Sequence, residues 1–149
     1  MFKKRESVFE VEEGKFLSPK FDKDGLIPVT TSDSGSGELL MHGYMNEEAL
    51  KKTIETKEAH YWSRSRQKLW KKGDVSGLKQ KIIKILVDDD QDCMIIRVNV
   101  AGSGASCHVG YKSCFYRVLE DKENLKFIET EKLFDPDEVY EGEDNPTIL

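Results

Sequence analysis

The residues best equipped for chemistry lie between Asp88 and Cys114, where the acidic run Asp88-Asp89-Asp90-Gln91-Asp92 is followed by Cys93, Cys107, His108 and Cys114. In an extended chain alternate side chains share a face, so Asp88, Asp90 and Asp92 would present carboxylates together, with Asp89 and Cys93 on the other side. Oxygen ligands of this kind suit Mg²⁺ or Ca²⁺; the competing reading is a solvated acidic turn. An EF-hand does not fit, because Cys93 stands where that loop needs glycine. The second group, Cys107-His108-Val109-Gly110-Tyr111-Lys112-Ser113-Cys114, places two thiols and an imidazole within eight residues. It can cradle Zn²⁺ and leave one position for water, with buried free cysteines or a disulfide as the alternatives.

Further candidates stand upstream. Arg64-Ser65-Arg66 can grip a phosphate with charge-assisted hydrogen bonds, against the bland reading of a solvated basic loop. Lys71 and Lys72 add anion affinity. Trp62 and Trp70 are core residues by type, although either ring can stack on a purine. His60, beside Tyr61 and Trp62, is a secondary general-base candidate with an equally good structural reading.

The elements that must position these residues can be read from patterning. Leu26 to Thr30 is expected to be a strand, and Ser32 to Gly37 a turn by composition. Glu38 to Tyr44 is a second, mostly apolar strand. Asn46 is a good helix N-cap, with Glu47 and Glu48 where the helix dipole favours acids; Ala49, Leu50, Thr53 and Ile54 form an apolar stripe ending near Thr56. Ala59 to Ser63 reads as a strand that delivers the arginines to a loop, and Gly73, Ser76 and Gly77 mark a second loop. Lys79 to Val87 and Met94 to Val100 are strands flanking the acidic run, and Cys114 to Leu119 is a strand leaving the cysteine loop. Leu125 to Ile128 is a candidate edge strand. This divides the chain into a loosely attached arm (1–25), one domain (26–134) and an acidic, partly disordered tail (135–149).

The chain has 149 residues, enough for one domain with its own core. A net charge of −5 argues against a general nucleic-acid binder. Three cysteines, an odd number, fit metal binding in a reducing cytoplasm better than a disulfide framework. No segment approaches the ~20 apolar residues of a membrane span, and the basic start Met1-Phe2-Lys3-Lys4-Arg5 lacks the apolar stretch of a secretory signal.

Asp-x-Asp-x-Asp followed by Ser106-Cys107-His108-x-Gly110-x-x-Ser113-Cys114-Phe115-Tyr116-Arg117 resembles the phosphoribosyl-AMP cyclohydrolases of histidine biosynthesis. Tyr44 to Leu50, Ala59 to Arg66, Leu69 to Gly73, and Ser76-Gly77 leading to Gln80 extend the resemblance over roughly residues 26 to 117. It implies hydrolysis of the N1–C6 bond of the adenine ring of phosphoribosyl-AMP. It also implies an α+β fold with a strongly bent, mainly antiparallel sheet covered by one principal helix, in an intertwined homodimer whose active sites take zinc ligands from both chains. Zn²⁺ would be held by Cys107 and Cys114, Mg²⁺ by Asp88, Asp90 and Asp92. The substrate would be bound by Arg64, Ser65 and Arg66 at its phosphates and by Trp70 and Lys72, and protons moved by His108, with His60 as the second candidate. One departure stands out. Where the usual pattern has its first zinc cysteine between the first two aspartates, this chain has Asp89, so Asp89 is expected as third ligand with Cys93 as rival. Two other readings differ in class: a metal-dependent hydrolase or deaminase of another purine nucleotide, and a non-catalytic zinc-stabilised domain.

Overall fold

A computed structural model describes residues 1–149. Its centre is a four-stranded sheet of β1 (Ile27–Asp33), β2 (Leu39–Met45), β5 (Gln80–Val87) and β6 (Met94–Val100), in the order β2-β1-β6-β5. β1 pairs antiparallel with β2 and parallel with β6, and β6 pairs antiparallel with β5. Two hairpins complete the strands, β3 (His60–Ser63) with β4 (Lys68–Lys71), and β7 (Arg117–Leu119) with β8 (Leu125–Phe127). The fold is α+β as expected, but with a mixed central sheet and two separate hairpins. Four of the five strand pairings are antiparallel, as expected; the exception is β6, which returns beside β1 in the same direction, and the strands divide among three sheets rather than one.

The helix predicted after Asn46 is α2 (Glu47–Thr56). The Asn46 side chain accepts the Ala49 N–H at 2.8 Å, satisfying one of the donors a helix start leaves unpaired. Ala49, Leu50 and Thr53 are the buried face and pack toward β2 and β3. Two short helices, α1 (Val8–Glu12) and α3 (Pro136–Val139), flank the chain ends, so α2 is one of three. The core gathers strand residues, including Ile27, Val29, Leu40, Met45, Ile96 and Val98, joined by Leu50 and Tyr61. Burying side chains of this size stabilises the fold by about 1.5–3 kcal/mol each.

The first 25 residues are tied down more closely than a loose arm. Phe2, Leu17 and Phe21 pack on the core. Gln91, at the β5–β6 turn, accepts the Ser18 N–H at 2.7 Å and donates to the carbonyls of Val11 at 2.9 Å and Phe16 at 3.3 Å. Arg5 adds a bond to the Asp90 carbonyl at 2.8 Å. A glutamine in an acidic run gives no sequence signal for this, because the bonds depend on its position and its positive φ of 58°. Gln91→Ala should therefore strand these backbone groups and cost about 1–3 kcal/mol. Hydrogen exchange should show faster exchange across residues 11–20, and unchanged protection there would contradict the anchoring role.

Candidate active site

The β3–β4 hairpin is placed by Tyr61, whose fully buried ring packs 5.1 Å from Trp70 and whose hydroxyl lies 2.7 Å from Thr31 Oγ1. The same hydroxyl donates to Gln80 Oε1 at 2.6 Å. Gln80 Nε2 in turn reaches Ser106 Oγ at 3.3 Å, and buried Lys72 donates through Nζ to the Ser106 carbonyl at 2.6 Å. This polar chain holds the start of the cysteine loop against β4 and β5. The far end of the loop is pinned to β2, where the Cys114 N–H donates to Leu40 O and Ser113 Oγ to Leu39 O, each at 2.7 Å. That anchoring uses the Cys114 backbone for β2, so β7 begins only at Arg117 and not at Cys114. Inside the loop the backbone closes on itself, from Ser106 N–H to Lys112 O at 2.9 Å and from Gly110 N–H to Cys107 O at 3.0 Å.

A cavity of about 380 Å³ opens between hairpin, loop and C-terminal segment. Arg64, Arg66, Trp70, Lys72, His108 and Cys114 all line it. Arg64 lies over the Tyr44 ring at 4.1 Å, and neither Arg64 nor Arg66 has a carboxylate partner. Ser65 does not line it; its hydroxyl faces Ser63 Oγ at 3.4 Å. His60 also stays out. It is buried behind the hairpin, with Nδ1 2.8 Å from the Glu58 carbonyl and its backbone N–H bonded to Thr53 Oγ1 at 2.9 Å. Its Nδ1–H is spent on the Glu58 carbonyl, and its backbone N–H ties β3 to Thr53 of α2.

The Cys107 and Cys114 thiols lie within hydrogen-bonding reach of each other. Cys107 is the more acidic, first because the Cys114 thiol donates to its sulfur, with help from the Val109 N–H and the charge of Lys72. Cys114 is pushed up by the same contact. Two sulfurs sharing one proton are a donor set suited to a soft metal ion. Burial first, and the charge of Lys72 second, hold the His108 imidazole below its ordinary range.

The acidic run is elsewhere. Asp88 to Cys93 is a turn joining β5 to β6, so the extended-strand alternation expected for it does not apply. The carboxylates of Asp88, Asp89 and Asp90 converge, with one oxygen from each within 4.8 Å of the others. Asp92 joins them, its carboxyl pushed up by lost hydration and by Asp90 and Asp88, and Lys20 reaches Asp90 at 3.8 Å and Asp92 at 3.9 Å. Within one chain β1 and β6 lie between β2, where the cysteine loop is pinned, and β5, where the turn begins. No third acidic, cysteine or histidine side chain joins Cys107 and Cys114. Neither Asp89 nor Cys93 is brought to them, and Cys93 is held protonated by burial and by Asp88 and Asp92.

Sequence reasoning passed over His42 and Tyr44, which line the cavity from β2 with their rings edge to face at 5.3 Å. Alternation along β2 carries the signal, since Met41, Gly43 and Met45 fall between them. It also passed over the tail, whose Tyr140, Glu143, Asp144, Pro146 and Thr147 form one wall. Together the groups make a pocket where cations await an anion beside an imidazole and a thiol pair, the equipment of a hydrolase for a phosphorylated substrate.

Comparison with known proteins agrees. The family model for phosphoribosyl-AMP cyclohydrolase matches residues 41–116. The chain is 50% identical over 135 residues to the phosphoribosyl-AMP cyclohydrolase of Rhodopseudomonas palustris strain HaA2, covering 88% of this chain and 90% of that protein. It is 49% identical over 121 residues to the enzyme of the same name from Caulobacter vibrioides, covering 81% and 87%. For that of Methanococcoides burtonii the figure is 52% over 121 residues, covering 81% and 94%. The chain belongs to the phosphoribosyl-AMP cyclohydrolase family.

The tail is docked through Gly110, which has φ 108° and would place a Cβ 2.7 Å from the Phe134 carbonyl. Gly110→Ala should push the segment off the loop. The amide of Leu133, now bonded to Gly110 O at 2.7 Å, would then exchange at least about tenfold faster; unchanged exchange would contradict the docking.

Proposed function

We propose that this chain hydrolyses the N1–C6 bond of the adenine ring of 1-(5-phosphoribosyl)-AMP, a step of L-histidine biosynthesis. The observation that carries the proposal is the single cavity shared by Arg64, Arg66, Lys72, His108 and Cys114 in a chain about half identical to proteins of that name. The substrate's two phosphates match a pocket with two guanidinium groups free of carboxylate partners, and the rings of Trp62, Trp70 and Tyr44 offer apolar surface to its one adenine base. In the reaction water oxygen bonds to C6, the N1–C6 bond breaks, N1 keeps the electron pair and takes a proton, and C6 becomes a carboxamide carbon. His108 is suited to move that proton: held below its ordinary range, it is neutral at pH 7 and able to accept.

Cys107 and Cys114 are the residues to hold Zn²⁺, which when bound would supply the Lewis acidity that makes water a nucleophile at neutral pH. The acidic turn, Asp88 to Asp92, would hold Mg²⁺ beside the substrate's phosphates. Because the turn lies apart from the thiols within the chain, we propose a homodimer in which the partner's turn completes the zinc site, through Asp89 or Cys93. Exposed apolar side chains support this: Ile83, Val87 and Ile95 on the sheet, and Phe115, Val118 and Phe127 on the β7–β8 side. A cytoplasmic location accompanies the reading, since all three cysteines are free. No helix is long and apolar enough to cross a membrane.

Turnover of phosphoribosyl-AMP, followed optically, should be abolished by a chelator and restored by Zn²⁺ and Mg²⁺. Folded, metal-loaded protein without turnover would contradict the proposal. Cys107→Ser should lose turnover while keeping its fold; collapse on this change would favour a purely structural metal site. His108→Gln should lower kcat by about 10²–10⁴. Arg64→Ala or Arg66→Ala should raise KM about 10- to 100-fold, the loss of a hydrogen bond to a charged group, and equal loss in kcat would assign them a different role.

A further inference from the structure

The C-terminal segment takes no part in the proposed chemistry, yet it brings two carboxylates, Glu143 and Asp144, to the cavity. From Asp135 to Leu149 the chain carries Asp135, Asp137, Glu138, Glu141, Glu143 and Asp144 and no lysine or arginine. The matched family region ends at residue 116, so the segment lies outside it. Docking at Gly110 aims it back over the cysteine loop. Tyr140, Glu143, Asp144 and Pro146 then face two ways: with His108 they line both the substrate cavity and a second one of about 330 Å³ built almost wholly from the segment itself. They and the imidazole are the partition between the two.

Charge makes this wall consequential. Glu143 and Asp144 share the cavity lining with Arg64 and Arg66, and none of the four is ion-paired. Lys72 lines the same space nine-tenths buried, its ammonium satisfied only by the Ser106 carbonyl. Opposed charges thus line one space that a phosphate must enter. The carboxylates lower the potential the arginines create and repel the incoming anion. Across one cavity this acts within the ~10 Å Debye length of dilute salt.

We propose that Glu143 and Asp144 are affinity-determining residues of this enzyme, a built-in anionic competitor that weakens the grip of Arg64 and Arg66 on phosphorylated ligands. The proposal rests on the reading of the cavity as a phosphate site. Its benefit is selectivity by total contact: a ligand held only by its phosphate binds poorly, whereas one that also stacks on the aromatic wall binds well.

The test uses the full chain with Glu143→Gln/Asp144→Asn, beside the charge-preserving exchange Glu143→Asp/Asp144→Glu. Inorganic pyrophosphate binding is measured by calorimetry at about 0.05 M and about 0.5 M salt, and KM and kcat for phosphoribosyl-AMP under both conditions. The neutral variant is expected to bind pyrophosphate about two- to tenfold tighter at low salt, with KM falling in parallel and kcat unchanged. The gain should shrink at high salt, and the exchanged variant should match the parent. Binding and KM unchanged or weaker in the neutral variant would overturn the proposal while leaving the phosphate site standing. Pyrophosphate binding insensitive to Arg64→Ala would instead remove the phosphate site, and the proposal with it.

Discussion

The site depends on one buried polar chain, from Thr31 through Tyr61 and Gln80 to Ser106 and Lys72. It joins β1, the β3–β4 hairpin, β5 and the cysteine loop, which share little other contact at that depth. Tyr61 and Gln80 are fully buried, so any broken bond leaves a polar group without water, at about 1–3 kcal/mol. Burial pushes the Tyr61 hydroxyl far up, which keeps it a neutral donor near neutral pH. Gly43 packs against the same ring: a Cβ there would lie 2.9 Å from Tyr61 Cδ1, so β2 can approach the hairpin only with glycine. Hairpin and loop are thereby fixed to each other, and the arginines, the His108 imidazole and the Cys114 thiol share one cavity.

Electrostatics follow from that placement. Lys72 is carried into the interior with no carboxylate beside it, and burial holds its ammonium below the ordinary range. The nearby Cys107 sulfur is favoured as thiolate and the His108 imidazole as the neutral form. The Cys114 thiol for Cys107, and burial for His108, are the main causes, and the Lys72 cation adds to both. At the other end of the sheet the acidic turn is organised by different means. Asp88 Oδ1 accepts the N–H groups of Asp92 and Cys93, each at 3.0 Å, and Gln91 ties the turn to the N-terminal segment.

Much of this was legible in the sequence for local reasons. The Asn46 cap and the apolar stripe of α2, the apolar run of β2, the strands on either side of the acidic run, and the concentration of thiols and imidazole in one loop all express short-range rules. What was not legible depends on long-range placement. Nothing in β6 announces a parallel partner in β1, and β3–β4 pairing at Lys68–Lys71 hides in a polar stretch. His60 and His108 look alike as residue types and differ in what the fold puts beside them, Glu58 O for one and a cavity for the other. The tail reads as an acidic run of the solvated kind and becomes a wall only through its docking on Gly110. The assignment of the third zinc ligand turns on the same limit, because Asp89 and Cys93 sit on a turn that the chain's own topology keeps from Cys107 and Cys114.

The proposal to test is that the thiols of one chain and the acidic turn of another form one metal site, because a single chain holds the two apart. The direct measurement is turnover after co-refolding Cys107→Ser chains with chains carrying both Asp89→Ala and Cys93→Ser. Each variant alone should be inactive. A mixed dimer would hold one intact site, so an equal mixture should recover about a quarter of the parent activity. A mixture of dimers as inactive as its components would contradict the shared site and place the third ligand within the chain that holds the thiols.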